Sequence, residues 1–422
     1  MSKVATHLDQ QARESGSGTD IKGVATSTNQ FAFDLYSEFR QVKGNLFFSP
    51  SSIANVLAML HAGARGQTES QLGQALHLAS TSETRHAAFA RWIHSLMADA
   101  KRPGNELRVA NALWTQQGAT FLRTFLDVAM THYAAELQHV DFAAPAQAAA
   151  QINDWVACQT EQKISKIVSP ESISPLMRLV LTNAVHFKGQ WKSPFQKYVT
   201  QNAPFTLEDG SQTGQVVQTL MMMQKRGFKY AEGDEFQAVE LPYLGECFSM
   251  TIFLPKACKA NWTRNWWPFR KRGPATTDGT ELRAFEESFG FAKFERWRPK
   301  QYHEEVEVFL PKFKMDWECH LPEVLKSLGV SDAFSPELAD FSGITGNRDL
   351  FISEGIHKAY VDVNEEGTEA AAVTAFFGGP TCAMPAPKPE PIVFRADHPF
   401  LFLIRHIRSD TILFMGRVMD PR

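Results

Sequence analysis

The residue types that carry most enzyme chemistry are present in this 422-residue sequence, but their spacing matches no catalytic pattern. The metalloprotease pattern H-E-x-x-H, the nucleophile pattern G-x-S-x-G, the P-loop and the dinucleotide pattern G-x-G-x-x-G are all absent. Serine, histidine and aspartate occur, yet nothing in the sequence places them together. The motif content therefore disfavours an enzyme.

Cysteine or metal chemistry is also disfavoured. The five cysteines are odd in number, far apart and without a C-x-x-C pair, so neither a disulfide framework nor a zinc site is indicated. Four of them are expected to be ordinary buried or half-buried thiols. We expect no metal and no other cofactor. The five are Cys158, Cys247, Cys258, Cys319 and Cys382.

The stretch EEGTEAAAVTAFFGGPTCAMPAPKPEP, residues 365–391, follows a predicted strand, IHKAYVDV. No proline occurs from Glu365 to Phe377, so every backbone N–H there could join a β-ladder. A segment that forms a central strand must place alternate side chains in a packed interior without overfilling it. The set that begins at Thr368 meets this condition, because its first four members are small: Thr368, Ala370, Ala372, Thr374, Phe376 and Gly378.

The second half of the stretch has the opposite character. Five prolines, at positions 380, 385, 387, 389 and 391, favour an extended and unpaired backbone near polyproline geometry. A disordered proline linker would fit this half, but it leaves the proline-free first half unexplained.

The overall composition limits the class of protein and its general binding partners. The chain is 44% hydrophobic and 21% charged with a net charge of −3, which indicates a globular protein without a general attraction to nucleic acid or anionic membranes. No apolar run approaches the roughly 20 residues that span a bilayer. Residues 1–24 are polar and lack a secretory signal, so we expect a flexible lead-in and either a cytoplasmic location or non-classical secretion, unless the sequence has been trimmed.

Helical patterns dominate the first third of the chain and strand patterns the rest, which predicts one α+β domain over residues 25–422. Ser49 or Ser51 and Pro50 suit the start of a helix, residues 147–168 read as one long helix, and MRLVLTNAVHFKGQW reads as a strand covered on both faces. Residues 257–280 resemble a surface insertion rich in Trp and Arg. We expect a surface loop whose tryptophans pack on the rest of the domain, with weak polyanion binding as the alternative.

Five motifs, in order, resemble the serpin family over nearly the whole chain. They are NLFFSPSSIANVLAMLHAGARGQTESQL, LTNAVHFKGQWKSPF, FLPKFKM, IHKAYVDVNEEGTEAAA, and the C-terminal pair FRADHPFLFLIRH and ILFMGRVMDP. The chain resembles bacterial or clade-B-like members without a signal peptide. The resemblance implies three β-sheets, A, B and C, with eight or nine helices and an exposed reactive-centre loop. It also implies suicide inhibition of a serine protease, trapped as an acyl-enzyme when the cleaved loop inserts into the central sheet.

The family pattern assigns roles to residues by position. Counting along the hinge places the scissile bond at Thr381–Cys382, and a small β-branched Thr381 suits an elastase-like or subtilisin-like protease. The loop is about seven residues longer than in the best-known members, so counting back from its other end selects Lys388 instead. Ala383 and Met384 are further alternatives. The hinge comprises Glu365, Glu366, Gly367, Thr368, Glu369, Ala370, Ala371, Ala372, Val373 and Thr374.

The resemblance also implies two clusters that control opening of the sheet. The breach, at the top of the sheet, would contain Trp191, Lys312 and Glu365, with an ion pair between the last two. The shutter, under the sheet centre, would contain Ser49, Ser52, Asn183 and His357.

Two alternative functions stay open. A non-inhibitory serpin that acts in storage or as a chaperone would usually carry proline, charge or bulk in the hinge, and the alternating set Thr368, Ala370, Ala372 and Thr374 has none of these. A cysteine protease could be the target of the same trap. We expect a monomer whose partner is the target protease, with no nucleic acid and no membrane.

Overall fold

The computed structural model of the chain describes residues 17–78, 82–133, 136–208, 214–256, 281–298, 302–368 and 391–422. These residues contain ten α-helical segments, the last a single turn, against the eight or nine expected. They are α1 Ser17–Phe39, α2 Pro50–Gly63, α3 Gly66–Ala75, α4 Ser82–Ala100, α5 Arg123–His132, α6 Pro145–Gln159, α7 Glu281–Ser288, α8 Phe291–Trp297, α9 Leu321–Ser327 and α10 Ser342–Thr345.

Fifteen strands lie in the same described ranges. They are β1 Leu46–Phe48, β2 Asn105–Gln116, β3 Glu136–Val140, β4 Leu179–Gln190, β5 Gln201–Thr206, β6 Val216–Glu232, β7 Phe236–Pro242, β8 Phe248–Pro255, β9 Tyr302–Pro311, β10 Phe313–His320, β11 Ile352–Asn364, β12 Gly367–Thr368, β13 Ile392–Arg395, β14 Phe400–His406 and β15 Thr411–Val418.

One sheet has six strands in the order β10-β11-β12-β4-β2-β3. Its two central strands, β11 and β4, pair directly in parallel from Ile352 with Leu179 to Tyr360 with His186. Beyond that point β12 lies between them and pairs antiparallel with both. The sheet is thus closed along most of its central seam and already parted at one end.

The other nine strands are joined through β6. In this 17-residue strand, Val216–Met221 pair with β5 and Met221–Tyr230 pair with β9, to which β13 adds. Its last residues pair with β7, which continues through β8, β14 and β15 to β1. The shared strand therefore links the two parts of this nine-stranded sheet, and together with the six-stranded sheet and the helices it confirms the α+β fold.

The strand β4 is buried on both faces, as its apolar run predicts. Leu181, Val185 and Phe187 face the main core beneath the sheet. Val180 and Ala184 face a second core, which α6 and the segment after it cover. Two layers of apolar side chains thus hold the central seam from opposite sides.

The helix α6 ends nine residues before its predicted end at 168. Glu161 and Gln162 have φ values of 50° and 64°, and the Gln162 N–H donates to Ala157 O at 2.8 Å. This is the hydrogen bond of a Schellman C-cap, which ends a helix. Asn153 then anchors the returning chain, because its Oδ1 accepts the N–H groups of Ile167 and Val168.

The helix α1 begins before the boundary expected after residue 24. It starts at Ser17, and Val24 is already buried in the main core, so burial of its apolar face extends the ordered part toward the N-terminus. At α2 the predicted cap is confirmed as Ser49, whose Oγ accepts from Ser52 N at 3.2 Å, with Pro50 in the first turn. Among the described residues, no helix combines the length and apolar character that crossing a bilayer requires.

Candidate functional site

The hinge of the predicted loop begins where β11 turns back into β12. Val363 pairs with Thr368 and Asn364 with Gly367 on one side, while Gly189 and Gln190 of β4 pair with the same two residues on the other. Thr368 is fully buried, and its Oγ1 lies 2.7 Å from the hydroxyl of Tyr243. The first two residues of a new central strand are therefore already in place.

Gly367 is needed at this position because the neighbouring strand comes so close. A Cβ atom built there would lie 2.0 Å from Gly189 O and 2.7 Å from Gln190 Cα. Both are backbone atoms, which cannot move aside as the end of a side chain could. A larger residue would push β12 away from β4.

The three predicted breach residues surround this turn. The indole Nε1 of Trp191 donates to Asn364 O at 3.0 Å, and its backbone N–H donates to Glu366 O at 2.9 Å. The ring of Trp191 stacks on Tyr243 at 4.6 Å between centroids, which extends the packing to Thr368. Sequence reasoning did not select Tyr243.

The ion pair between Lys312 and Glu365 is present, with Nζ 2.9 Å from Oε2. Burial alone would raise the pKa of Glu365, but hydrogen bonds from Lys312 and from the backbone hold the pKa below its usual value. Lys312 lies where the predicted strand EEVEVFLPKFKM changes sheets: β9 pairs with β6, and β10 pairs with β11. The lysine therefore stands at a junction of two sheets.

A second ion pair holds the next residue of the turn. Lys197 Nζ donates to Glu366 Oε1 at 2.5 Å, and this hydrogen bond raises the pKa of Lys197. A cleft of about 670 Å³ opens beside both ion pairs. Its wall includes Lys314, Asp362 and the last residue, Arg422.

The four predicted shutter residues lie together in one buried hydrogen-bonded cluster. The backbone N–H of Ser49 donates to His357 Nε2 at 3.0 Å, so the other ring nitrogen, Nδ1, carries the hydrogen that bonds Asn183 Oδ1 at 2.5 Å. Asn183 Nδ2 donates in turn to Ser52 Oγ at 2.7 Å. Burial lowers the pKa of His357 to about 3, so the ring is neutral.

Asn111 completes the shutter, although sequence reasoning missed it. It pairs with Asn183 across β2 and β4, and its Oδ1 accepts from Asn183 Nδ2 at 2.5 Å and from Ser52 Oγ at 3.2 Å. The available signal was an asparagine in the middle of each of two apolar strands, since a buried amide requires a partner.

The structure also brings together an aspartate, a histidine and a serine that the sequence left apart. His406 Nε2 lies 3.0 Å from Asp99 Oδ2, and its Nδ1 lies 2.7 Å from Ser409 Oγ. All three are buried, and Ser409 Oγ is also 2.8 Å from Thr411 Oγ1. The cluster has no access to a substrate and fastens the end of α4 to the turn between β14 and β15.

Several predicted residues lie outside the described residues. These are the remaining hinge positions, the scissile bond and its alternatives, and the insertion at 257–280. The named residues outside the described ranges are Glu369, Ala370, Ala371, Ala372, Val373, Thr374, Thr381, Cys382, Ala383, Met384 and Lys388.

Within the described ranges, no group of three or more His, Cys, Asp or Glu side chains could hold a metal ion.

Comparison with known proteins identifies the family. The model described as serpin (serine protease inhibitor) matches residues 26–421. An uncharacterised serpin-like protein of Thermococcus kodakarensis is 40% identical over 404 residues, covering 95% of this chain and 86% of that protein. The human leukocyte elastase inhibitor is 38% identical over 408 residues, covering 95% of this chain and all of its own length.

A solved structure agrees with this assignment. The native state of tengpin, a thermophilic serpin, superposes with a TM-score of 0.80 at 25% identity and covers 94% of each chain. The chain therefore belongs to the serpins, a family of serine protease inhibitors and not of enzymes.

Proposed function

We propose that this chain is a suicide-substrate inhibitor of serine endopeptidases, in which the cleaved loop inserts between β11 and β4. The observation that carries the proposal is the position of β12. Gly367 and Thr368 already pair with both strands, in the antiparallel direction that a returning loop must take. Insertion would then extend an existing strand instead of starting a new one.

The register of β12 fixes where later residues would go. Thr368 pairs with Val363 of β11 and with Gly189 of β4. Because both pairings are antiparallel, each residue added after Thr368 would pair with the residue one position earlier in β11 and one position earlier in β4. Six residues on, Thr374 would come between His357 and Asn183. The side chain of Thr368 points to Tyr243 in the main core, so Ala370, Ala372 and Thr374, which share its face, would also point there.

Insertion exchanges one type of ladder for another. The eight direct partners of the parallel β11–β4 pairing would be replaced by two antiparallel ladders, one on each side of the new strand. Parallel pairing is slightly less stable per residue, and the new ladders recruit N–H and C=O groups of the cleaved loop. This difference supports a native state that stores free energy until cleavage releases it.

The shutter would have to open and close again. His357 and Asn183 now bond each other across the seam, and the hydroxyl of an inserted Thr374 could take the place of either partner. A buried polar group without a partner would cost about 1–3 kcal/mol, so a hydroxyl at this register position lowers the cost of opening.

The protease is trapped as an acyl-enzyme. Its serine attacks the carbonyl carbon of Thr381, an ester forms, and the amine of Cys382 leaves with the C-terminal part of the loop. From Glu365 to Thr381 the cleaved arm has 17 residues and could reach roughly 55 Å at ~3.3 Å each. Insertion of this arm would carry the protease along the sheet, and distortion of its active site would stop hydrolysis of the ester.

The target is proposed from the side chain at the bond. Thr381 is small and β-branched, which favours an elastase-like or subtilisin-like pocket over a trypsin-like one. The name of the human relative, a leukocyte elastase inhibitor, points in the same direction. A non-inhibitory role and inhibition of a cysteine protease are the competing functions.

The remaining expectations are part of the proposal. One domain over residues 25–422 is supported by the family match to residues 26–421. We further propose that the protein is a monomer and that the insertion at 257–280 binds polyanions only weakly.

The decisive test is incubation with elastase, subtilisin, chymotrypsin, trypsin and papain, followed by denaturing electrophoresis and mass spectrometry. A covalent band with elastase or subtilisin, and a released peptide that begins at Cys382, are the expected results. Cleavage without a covalent band with any of them would reject inhibition. A band with papain alone would transfer the function to cysteine proteases. A peptide beginning at Met384, Pro385 or Pro389 would move the bond to Ala383, Met384 or Lys388, respectively.

A further inference from the structure

We infer that Lys197 is a positioning residue for strand insertion: it holds Glu366 so that β12 keeps the register from which the inserted strand grows. The inference rests on the proposed function. Nothing in the family motifs selects this lysine. It is the ion pair with Glu366 that singles it out.

The contacts of Glu366 show how it is held. Its Oε1 accepts from Lys197 Nζ at 2.5 Å, and the glutamate side chain is 13% exposed while that of the lysine is 61% exposed. Its backbone N–H donates to Asn364 Oδ1 at 3.0 Å, and its carbonyl accepts from Trp191 N at 2.9 Å. The residue immediately before β12 is therefore fixed by side chain and backbone together.

The two ion pairs of the turn hold it to two different parts of the molecule. Lys197 belongs to the segment that follows β4, and this segment also supplies Phe195 N, which donates to Glu365 O at 2.8 Å. Lys312 belongs to the junction of β9 and β10. Consecutive glutamates thus connect the β4 side of the seam to the strand pair β10–β11 on the other side.

This matters because β12 is short. A strand of two residues specifies its own register weakly, and a slip of one residue turns the opposite set of side chains to the core. After such a slip the set that contains Glu369 would face the core in place of the set that contains Thr368. An inward charge would stop growth of the strand, and the protease would then complete hydrolysis.

The test uses Lys197→Gln and measures the ratio of cleaved to trapped chains with a protease that the wild type traps. We expect the ratio to rise roughly two- to fivefold, the range typical of a partly exposed ion pair, and the wild-type ratio to rise toward that of the variant at high salt. Lys197→Arg and the exchange Lys197→Glu with Glu366→Lys should restore a ratio near that of the wild type.

The matched control is Lys192→Gln. Lys192 lies on the same segment and pairs with Glu246 at 2.6 Å, with both side chains about half exposed, but it does not touch the hinge. We expect no change in the ratio. An unchanged ratio in Lys197→Gln, an equal rise in Lys192→Gln, or an exchange variant as defective as Lys197→Gln would each overturn the inference.

A second measurement separates this inference from the proposed function. Hydrogen exchange of the backbone at Gly367 and Thr368 needs no protease, and we expect it to be faster in Lys197→Gln than in the wild type and in Lys192→Gln. If the wild type traps no protease, the proposed function fails while exchange still decides whether Lys197 positions β12. Equal exchange in all three proteins would reject the positioning role.

Discussion

The imidazole of His357 and the carboxamide of Asn183 stand opposite each other on the parallel strands β11 and β4, with Nδ1 2.5 Å from Oδ1. The ring can make this bond only as the neutral tautomer, because its Nε2 accepts from Ser49 N. The pair lies on the seam that the proposed insertion must open. The protonation state of one histidine is thereby coupled to the closed form of the sheet.

Acidification should therefore weaken the closed form through His357. Its pKa is about 3 in the folded protein, against an ordinary value of about 6.5 when unfolded. Between these values the unfolded chain binds the extra proton, so the free energy of unfolding falls as pH falls, by up to about 1.4 kcal/mol per pH unit for this group. Above about pH 6.5 the full contribution is present.

The measurement is denaturant unfolding of the wild type and His357→Gln from pH 4 to pH 8. The stability difference between them should be constant near pH 8 and shrink toward pH 4. Burial lowers the pKa values of His61 and His86 to about 4, so these residues also titrate in acid. Their contribution is the same in both proteins and cancels in the stability difference. A difference that stays the same over the whole range would contradict the assignment.

Removal of the Lys312 charge should destabilise the native state. Lys312→Gln leaves the buried carboxylate of Glu365 without its ion pair, which typically costs about 1–3 kcal/mol. Glu365→Gln in the same background should recover part of the loss. Lys225→Gln is the control, since Lys225 pairs with an exposed Glu305 at 3.6 Å and should change the free energy of unfolding by less than about 0.5 kcal/mol. Equal losses of unfolding free energy in both lysine variants would show that the Lys312–Glu365 ion pair does not stabilise the native state more than an exposed pair does.

A large charged residue at Thr368 should convert the inhibitor into a substrate. The side chain is fully buried against Tyr243, so Thr368→Arg would be expelled from the sheet and the cleaved loop would fail to insert. Electrophoresis should show complete cleavage without a covalent band. Thr368→Ser keeps the hydroxyl and should trap normally. Trapping by the Arg variant at the wild-type level would remove the basis for insertion at β12.

Cleavage of the loop alone should stabilise the molecule. A metalloprotease that cuts between Thr368 and Pro391 forms no acyl-enzyme, so the nicked chain can be isolated without a partner. We expect its melting temperature to rise by at least roughly 10 °C, because each new ladder hydrogen bond contributes about 0.5–1.5 kcal/mol. If calorimetry gave the same thermal unfolding midpoint before and after nicking, the native state would store no free energy that cleavage releases.

Much of the scaffold could be predicted because its signals are local. The apolar run of β4 and the cap at Ser49 depend on residues close in sequence. The end of α6 was missed because Glu161 and Gln162, which adopt positive φ there, are not typical helix-ending residues. The family motifs assigned the breach and shutter roles, which the local patterns at these positions do not reveal.

The contacts that complete the site depend on register and not on local sequence. Lys197 meets Glu366 across 169 positions, and Asp99 meets His406 across 307. Such pairs form only when strands from distant parts of the chain align, and a shift of one residue would separate them. For the same reason Asn111 became visible as a shutter residue only after β2 and β4 were aligned.

The helix α6 lies over the seam with the segment that returns after it, and Asn153 ties the two into one unit. A strand that enters between β11 and β4 must displace α6 and the segment after it. Insertion is therefore opposed by this packing as well as by the ion pairs of Glu365 and Glu366. Trp155 of α6 meets Trp114 of β2 edge-on at 5.6 Å. Displacement would change the surroundings of both indoles, so the movement carries its own fluorescence signal and needs no attached dye.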